Sequence, residues 1–287
     1  MKGRTDMAFE THSRLQSEGK VCEGVRAKEW KEEGVCLREV TVLTAEGEKA
    51  IGKPRGRYFT LELPANWQVD SSAAAAAPRL LARELSELLP REGTVLVAGL
   101  GNMRITPDSI GPLTVDGVIA TRHLHSSNPD IFGHMRSVCA VKAGVLGCTG
   151  VESAEIIRGV CSRVRPSAVI AVDALASLST DRLGRTFQLS DTGVVPGSGA
   201  CNARTALSRD TLGLPVIALG VPTVVDADTI AREMTGEETE GSGNRSFLVT
   251  PNDIDLIAEK SAKILSHAIN MALHVEMTAA EIEQFLC

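Results

Sequence analysis

Two aspartates stand beside apolar runs, where their carboxylates could do chemistry. Asp108 lies in the loop GNMRITPDSIGP, just beyond the apolar run Thr94–Asn102, and Asp173 ends the apolar stretch AVIAV. A carboxylate at such a place is costly to bury, because burial takes water away from its charged form. If both face one crevice, their like charges raise one pKa and leave a proton shared between an acid and a base. Such a pair can activate water and protonate a leaving amine.

Each aspartate also has a simpler structural interpretation. A single Asp at the end of a strand more often caps the following helix than catalyses a reaction. Asp191 in QLSDTGVVPGSG and Asp226 in PTVVDADTI hold comparable positions. For these two we favour capping or loop-fixing, and we keep Asp191 as a candidate for supporting the site or binding substrate.

The loop PGSGACN is the candidate for holding substrate. Its glycines and small residues present several backbone N–H groups, which suit a carbonyl oxyanion or a substrate backbone. A purely structural turn is at least as good an interpretation. The candidate residues are Gly197, Ser198, Gly199 and Asn202.

Nucleotide binding and covalent catalysis have weaker signals. The turn GLGN followed by Gly111 is similar to part of a dinucleotide fingerprint, but the full G-x-G-x-x-G is absent and Pro107 stands where the helix should open. Ser198 lies in G-S-G rather than G-x-S-x-G, and no cysteine has a histidine at a suggestive short spacing.

A metal site has one candidate cluster. His123, His125 and His134 are close in sequence and could bind a metal together with carboxylates. Such loop clusters are more often solvated, so the sequence favours a site without metal.

A sheet must position these residues. The runs Thr94–Asn102, Ala168–Ala176 and Pro215–Ala227 are typical of parallel strands buried on both faces, and they alternate with helical segments. Ligands of such open α/β sheets bind outside the carboxyl ends of the strands. Helices are predicted over 70–89, with Asp70, Ser71 and Ser72 as cap candidates, and over 251–274.

The N-terminal third is predicted to be different in character. Residues 1 to about 35 read as an irregular arm followed by a short helix at KEWKEEG. Two strands then follow within residues 35–63, in VCLREVTVLT and GRYFTLEL.

Composition and charge limit the partners. The 287 residues carry 30 basic and 36 acidic side chains, for a net charge of −6, which is the wrong sign for neutralising phosphates.

No apolar run approaches the roughly 18 residues of a membrane helix. Seven cysteines without a C-x-x-C pair favour a reducing compartment. We expect an intracellular protein that binds neither nucleic acid nor membrane and needs no cofactor.

Eight segments, in order along the chain, carry a resemblance to a known family. They are RTDMAFE, GKPRGRYFTLE, GLGNMRITPDSIGP, TRHL, GCTGVES, VDALAS, QLSDTGVVPGSGACNAR and TLGLPVIALGVPTVVDA. Together they resemble the germination proteases of spore-forming Firmicutes. The resemblance implies an endopeptidase that degrades small acid-soluble spore proteins when a spore germinates, uncovering the DNA that they coat. It also implies a homotetramer located in the forespore or spore core.

The resemblance also assigns residues. The two catalytic aspartates of the family fall on Asp108 and Asp173, the pair selected above from their positions beside strands. The family is made as a zymogen that cleaves off a short propeptide itself. Its processing point falls between Asp6 and Met7, so the propeptide would be Met1–Asp6.

Some segments depart from the family pattern. An insertion of longer members, between VVDADTI and SFLVTP, is only a short acidic, glycine-bearing loop here. Lys142 and Ala143 replace Ala and Pro, Leu178 replaces an arginine, and PGSGACNAR differs from PGSGVGNKR. We expect these changes to affect fine specificity and zymogen control, since both aspartates are intact.

Two alternatives remain at this point. The glycine turn, strand and acidic loop are also similar to the hydrogenase maturation proteases, which hold metal with carboxylates and a histidine. A metal-dependent maturation protease is therefore the alternative enzyme, and a non-catalytic binding protein of the same fold is the other alternative.

The preferred prediction is a single peptidase domain over 1–287, in which the strands and helix of 7–90 pack on an α/β core. The expected fold is a mixed, mainly parallel central sheet flanked by helices, of the hydrogenase-maturation-protease-like or phosphorylase/hydrolase-like type. Water would be activated between Asp108 and Asp173 without an obligatory metal.

Overall fold

A computed structural model describes residues 5–20, 22–69, 71–133, 135–197, 204–236 and 247–286. Several residues named above lie outside these ranges: Asp70, His134, Ser198, Gly199, Asn202 and the first four residues of the predicted propeptide. The strands in the described ranges are β1 (Val25–Glu32), β2 (Val35–Val42), β3 (Gly56–Glu62), β4 (Val95–Leu100), β5 (Val138–Gly144), β6 (Ala168–Ser177), β7 (Thr186–Ser190), β8 (Val216–Asp226) and β9 (Leu248–Val249).

These strands form one mixed sheet. Their order is β1-β2-β3-β7-β8-β6-β4-β5, and β9 pairs with β8 off this path. The ladders from β8 through β6 and β4 to β5 are parallel, and the others are antiparallel. The parallel strands include the three apolar runs, and all six residues of β4 are buried. The mixed α/β sheet predicted from these runs is confirmed.

The prediction of a short helix at KEWKEEG was wrong. These residues lie mostly in β1, which pairs antiparallel with β2 at the edge of the sheet, with Lys28 opposite Glu39 and Glu29 opposite Arg38. Charged side chains suit an edge strand because they remain in water and discourage further pairing. The charge pairs across the two strands therefore override the helical preference of Lys and Glu.

Helices cover both faces of the sheet. They are α1 (Ala8–Ser17), α2 (Ala45–Ile51), α3 (Ser71–Leu88), α4 (Ile110–Asp116), α5 (Arg122–Ser127), α6 (Pro129–Phe132), α7 (Leu146–Thr149), α8 (Ser153–Val164), α9 (Arg209–Leu212), α10 (Ala227–Thr235), α11 (Ile254–Leu273) and α12 (Ala279–Leu286). The predicted helices over 70–89 and 251–274 correspond to α3 and α11. None of the described helices is both long and apolar enough to cross a membrane.

Two of the apolar cores lie on the two faces of the parallel strands, and a third, around Phe9 and Tyr58, lies in the N-terminal part. The larger one packs side chains of α3 and α11, such as Leu81 and Leu265, against Val97 and Ile170 of the sheet. The other packs Ile157 of α8 against alternate residues of the same strands. Side chains alternate between the two faces of a strand, so Asp173 lies on the same face as Ala171. This is the face that α8 partly covers.

Candidate active site

A tight turn after β4 holds Asp108. The turn ends in a 3₁₀ segment, Thr106–Asp108, and the backbone N–H of Asn102 donates to the carbonyl oxygen of Asp108 at 2.9 Å. Gly101 has a φ of +104°, and a Cβ there would lie 2.1 Å from the same carbonyl oxygen. Only glycine fits this position, since another residue would be strained and would clash with the backbone.

Two more glycines bring the following helix against the strands. A Cβ on Gly111 in the first turn of α4 would lie 2.2 Å from the carbonyl oxygen of Leu100 and 2.4 Å from that of Val172. A Cβ on Gly99 would lie 2.5 Å from the carbonyl oxygen of Gly111. The glycine pattern that is similar to a dinucleotide fingerprint therefore serves close packing of α4 on β4 and β6.

Asp173 lies within β6, directly beyond its pairing with β4. The β4–β6 ladder ends at the pair Gly99 and Val172, while β6 continues to Ser177 beside β8. The prediction that Asp173 stands at a strand end was therefore wrong, because β6 stays paired with β8 from Val169 to Ser177. The end of β4 leaves space next to the Asp173 side chain, and that space is where the Asp108 turn lies.

One cavity of about 370 Å³ joins the two aspartates. Asp108, Asp173 and Gly197 all line it, so the structure brings together three of the residues selected from sequence. Arg204 and Thr223 also line it, and neither was selected as a site residue. The Thr223 hydroxyl donates to the carbonyl oxygen of Pro107 at 2.7 Å, which ties β8 to the Asp108 turn.

The two carboxyl groups differ in their electrostatics. Burial raises the pKa of Asp108 to about 6, although a backbone N–H of Asn102 and the charge of Arg204 act in the opposite direction. Asp173 is 3% exposed, and its pKa is raised well above its usual range, first by burial and then by the charges of Asp108 and Asp6. Backbone N–H groups of Ala174 and Gly197 only partly offset this effect. Near neutral pH the arrangement favours a protonated Asp173 beside an ionised Asp108.

The residues around the predicted processing point are docked beside this cavity. The backbone N–H of Asp6 donates to the carbonyl oxygen of Ala176 at 3.1 Å, and the Asp6 carboxylate accepts from the N–H of Ala176 at 2.8 Å. Met7 is fully buried and packs in a cluster with Phe9 and Tyr58. The peptide bond between Asp6 and Met7 is therefore fixed against β6, the strand that carries Asp173.

Asp191 and Asp226 do not line the cavity of the Asp pair. The Asp191 carboxylate accepts from the backbone N–H of Arg57 at 2.8 Å and so ties the end of β7 to the start of β3. Asp226 occupies the N-cap position of α10. The placement of Asp191 agrees with the loop-fixing role favoured from sequence, whereas the Asp226 side chain accepts no cap hydrogen bond from α10.

The histidines lie elsewhere. His123 and His125 are in α5, and His125 lines a different cavity, together with Thr94 at the opposite end of β4 from Asp108. His134 is outside the described residues. Among the residues that the structure describes, no group of three or more His, Cys, Asp or Glu side chains is arranged to hold a metal ion.

Comparison with known proteins decides the family. The sequence model of the family described as germination protease matches residues 3–236 of the chain. A germination protease from Caldanaerobacter subterraneus subsp. tengcongensis is 41% identical over 318 aligned positions, covering 99% of this chain and 98% of the relative. The chain belongs to the germination protease family.

Further germination proteases are similar over most of this chain. That of Clostridium tetani is 36% identical and covers 100% of both chains. That of Bacillus cereus is 44% identical over 239 positions, covering 80% of this chain and 65% of the relative. Among solved structures, a nickel–iron hydrogenase maturation protease from Thermococcus kodakarensis KOD1 matches with a TM-score of 0.37 and 16% identity, covering 65% of this chain and 99% of that one.

The structure also places substitutions that depart from the germination protease pattern. Lys142 in β5 pairs with Asp116 at the end of α4, at 2.5 Å. Leu178 follows β6, and its backbone N–H donates to the Glu10 carboxylate at 2.9 Å. Both substitutions therefore lie on elements that lead to the site, whereas the two aspartates themselves are retained.

Proposed function

We propose that this germination protease is an endopeptidase that starts the degradation of small acid-soluble spore proteins, with Asp108 and Asp173 as its catalytic pair. The observation that carries the proposal is their shared cavity, in which two carboxyl groups from separate elements have differently raised pKa values. A pair of titratable groups whose environments separate their pKa values is the arrangement that acid–base catalysis needs.

The environments of the two carboxyl groups support one assignment of the roles of base and acid. Asp108 is the less buried and the more easily ionised carboxyl group, so it takes a proton from the attacking water. The water oxygen adds to the carbonyl carbon of the peptide bond and gives a tetrahedral intermediate. Asp173 then gives its proton to the amide nitrogen as the C–N bond breaks. Transfer of the proton from Asp108 to Asp173 restores the starting state.

Neighbouring groups support these roles. Arg204 lines the cavity, and its charge favours the ionised form of Asp108. The N–H groups of Ala174 and Gly197 hold the Asp173 carboxyl group in place, and they stabilise its charge once it has given up the proton. Pro196 and Gly197 of PGSGACN line the cavity, so these two residues mark the proposed edge of the substrate site.

We further propose that the chain is made as a zymogen that cuts itself between Asp6 and Met7. The docking of Asp6 on β6 supports this proposal, because it holds the bond near Asp173. The Asp6 carboxylate also adds negative charge beside Asp173. Release of Met1–Asp6 would remove that charge and clear one side of the site.

The remaining parts of the proposal rest on family membership. They are the spore proteins as substrates, the forespore or spore core as location, and the homotetramer. The net charge of −6 gives the chain no electrostatic reason to compete with these substrates for DNA.

The test is digestion of a purified small acid-soluble spore protein by the full chain after incubation at mildly acidic pH. We expect discrete cleavage products, with the same rate in the presence of a chelator. Loss of cleavage on chelation, restored by added divalent metal, would instead support a metal-dependent protease. An intact substrate and an intact full chain would contradict peptidase activity altogether.

A further inference from the structure

Gln188 lies in one row with the catalytic pair candidate Asp173. Gln188 in β7 is the register partner of Gly220 in β8, and Gly220 is the register partner of Asp173 in β6. Partners in neighbouring strands direct their side chains to the same face, and two strand spacings are about 10 Å. Gly220 has no side chain, so no side chain of β8 stands between Gln188 and Asp173 on this face of the sheet.

The two cavities on this face are neighbours. Gln188, Asp6 and Gly220 line a cavity of about 260 Å³, and Leu175 lines both this cavity and that of the Asp pair. Leu175 lies over Gly220, where a Cβ would approach the Leu175 side chain to within 2.6 Å. The space around Gln188 is therefore separated from Asp173 by one side chain.

Gln188 contacts the chain on both sides of the predicted processing point. Its side-chain N–H group donates to the carbonyl oxygen of Asp6 at 3.0 Å, and its side-chain oxygen accepts from the backbone N–H of Ala8 at 3.1 Å. These two contacts fix the orientation of the amide, because a donor must face the carbonyl and an acceptor must face the N–H. The carbonyl of Asp6 belongs to the peptide bond between Asp6 and Met7.

These contacts involve only the backbone of the bound segment. Backbone groups of Ala176 hold Asp6 from the β6 side, through both the N–H and the side-chain carboxylate of Asp6. Gln188 is 8% exposed, so water competes little for its amide. A donor placed on a carbonyl oxygen in such a dry position stabilises the negative charge that develops there when water adds.

We propose that Gln188 binds the carbonyl oxygen of the peptide bond to be cut and stabilises the oxyanion formed on it. This inference rests on the proposed function and adds a residue that the sequence motifs did not single out. Gln188 donates a hydrogen bond and transfers no proton. Asp108 and Asp173 still carry the proton taken from water and the proton given to the amine.

The test compares the rate at which the full chain releases residues 1–6, followed by intact mass. Gln188→Met keeps the length of the side chain and removes the donor. We expect this variant to release residues 1–6 at least about 100-fold more slowly than the wild type. Thr186→Val is the matched control. It is a near-isosteric change on the same face of β7, at a buried hydroxyl that has no hydrogen-bond partner among the described residues, and we expect the wild-type rate.

Gln188→Glu separates a catalytic role from a structural one. An ionised Glu keeps the acceptor for the N–H of Ala8 but has no donor for the carbonyl, so the segment stays docked while cleavage slows. A protonated Glu regains the donor, and we therefore expect the ratio of variant to wild-type rate to rise as the pH is lowered. Gln188→Met should show no such recovery.

The outcomes separate this inference from the proposed function. If the wild type releases residues 1–6 and both folded Gln188 variants do so at the same rate at every pH, the inference is wrong and the proposed function stands. A Gln188→Glu ratio that does not change with pH would also overturn it, even if Gln188→Met fails to fold. If neither the wild type nor Thr186→Val cuts any peptide bond, the proposed function fails and the inference fails with it.

Discussion

The two aspartates of the site receive different chemistry from their surroundings. Asp173 lies within a central strand and is almost fully enclosed, whereas Asp108 lies on a turn with Arg204 nearby. Burial raises the pKa of both, but the positive charge acts only on Asp108. The result is one carboxyl group that suits a base and one that suits an acid at neutral pH.

The pH dependence of cleavage follows from this difference. We expect kcat/KM to rise as the pH increases through about 6, because Asp108 must be ionised to accept a proton from water. At higher pH the rate should fall again as Asp173 loses its proton. Initial rates on a spore-protein substrate across this range would give a bell-shaped profile. A rate that is constant through pH 6 would contradict the assignment of Asp108 as base.

The same shift predicts the stability of Asp108→Asn. The folded-state pKa of Asp108, about 6, is above its value of 3.8 in the unfolded chain, so ionisation destabilises the fold as the pH rises through 6. Replacing the carboxyl by an amide removes this cost above pH 6. We expect a free energy of unfolding higher by at most about 3 kcal/mol at neutral pH, and less where solvent screens the charge.

Urea unfolding at neutral pH and below pH 4 would measure this effect. The gain should vanish below pH 4, where both states carry the proton. An Asp108→Asn variant that is less stable than the wild type at neutral pH would show that the carboxylate is stabilised rather than strained.

Sequence could identify the aspartates but not the other side chains of the site. Asp108 and Asp173 are recognisable because a carboxylate beside an apolar run is unusual on its own. Arg204 and Gln188 are ordinary residues in their local sequence. Their importance depends on which strands become neighbours: β7 and β6 flank β8, although β7 and β8 follow β6 along the chain. That order is a tertiary property that single-sequence periodicity does not contain.

At the scale of elements, the turn between β4 and α4 is the part that positions the site. At Gly99, Gly101 and Gly111, neighbouring backbone atoms lie so close to the glycine that a Cβ atom would clash with them. The sequence indicated a glycine pattern similar to part of a dinucleotide fingerprint here. The role of these glycines in the close packing of α4 on two strands required the three-dimensional contacts.

Gly111→Ala tests this packing. The new Cβ would press on the carbonyl oxygens of Leu100 and Val172, which belong to the central strands and cannot move aside. We expect a loss of about 3 kcal/mol in stability, and a lower rate of cleavage because Asp108 immediately precedes α4.

Gly159→Ala in α8 is the control for this substitution, since no atom lies within 4 Å of its added Cβ. It should raise the stability by up to about 1 kcal/mol, as expected for Gly to Ala in a helix. Equal stability of the wild type and Gly111→Ala in a thermal melt would contradict the packing argument.

The remaining differences at this scale have physical causes. The buried parallel strands were predictable because each is a continuous apolar run. The edge strand β1 was not, because its charged residues gain their partners from other elements, as between Lys28 and Glu39 of β2 and between Glu32 and Arg83 of α3. The predicted run Ala168–Ala176 already covered most of β6, which pairs with β8 as far as Ser177, although the position of Asp173 alone had indicated an earlier strand end.

For the whole molecule, the chain joins an antiparallel N-terminal part and a parallel part in one sheet. β3 and β7 connect the two parts, so the sheet is continuous from β1 to β5. The N-terminal segment then returns to the parallel part, where Asp6 binds Ala176 and Glu10 pairs with Arg182 at 2.9 Å. The proposed processing at the N-terminus would therefore act directly on the site.

The proposed homotetramer is tested by the mass of the particle in solution. We expect sedimentation of the full chain at micromolar concentration to give four chains of 30.4 kDa each. A mass equal to one chain over the whole concentration range would contradict the assembly inferred from the family, without affecting the chemistry of the Asp pair.

The central claim is that Asp108 and Asp173 together hydrolyse the peptide bond. The most direct test is the rate of digestion of a small acid-soluble spore protein by Asp108→Asn and by Asp173→Asn, with Asp130→Asn as the control on the exposed helix α6. We predict that each of the first two substitutions lowers the rate by about 100-fold to 10,000-fold, and that the control keeps the wild-type rate. Digestion at the wild-type rate by both Asp108→Asn and Asp173→Asn would contradict the account.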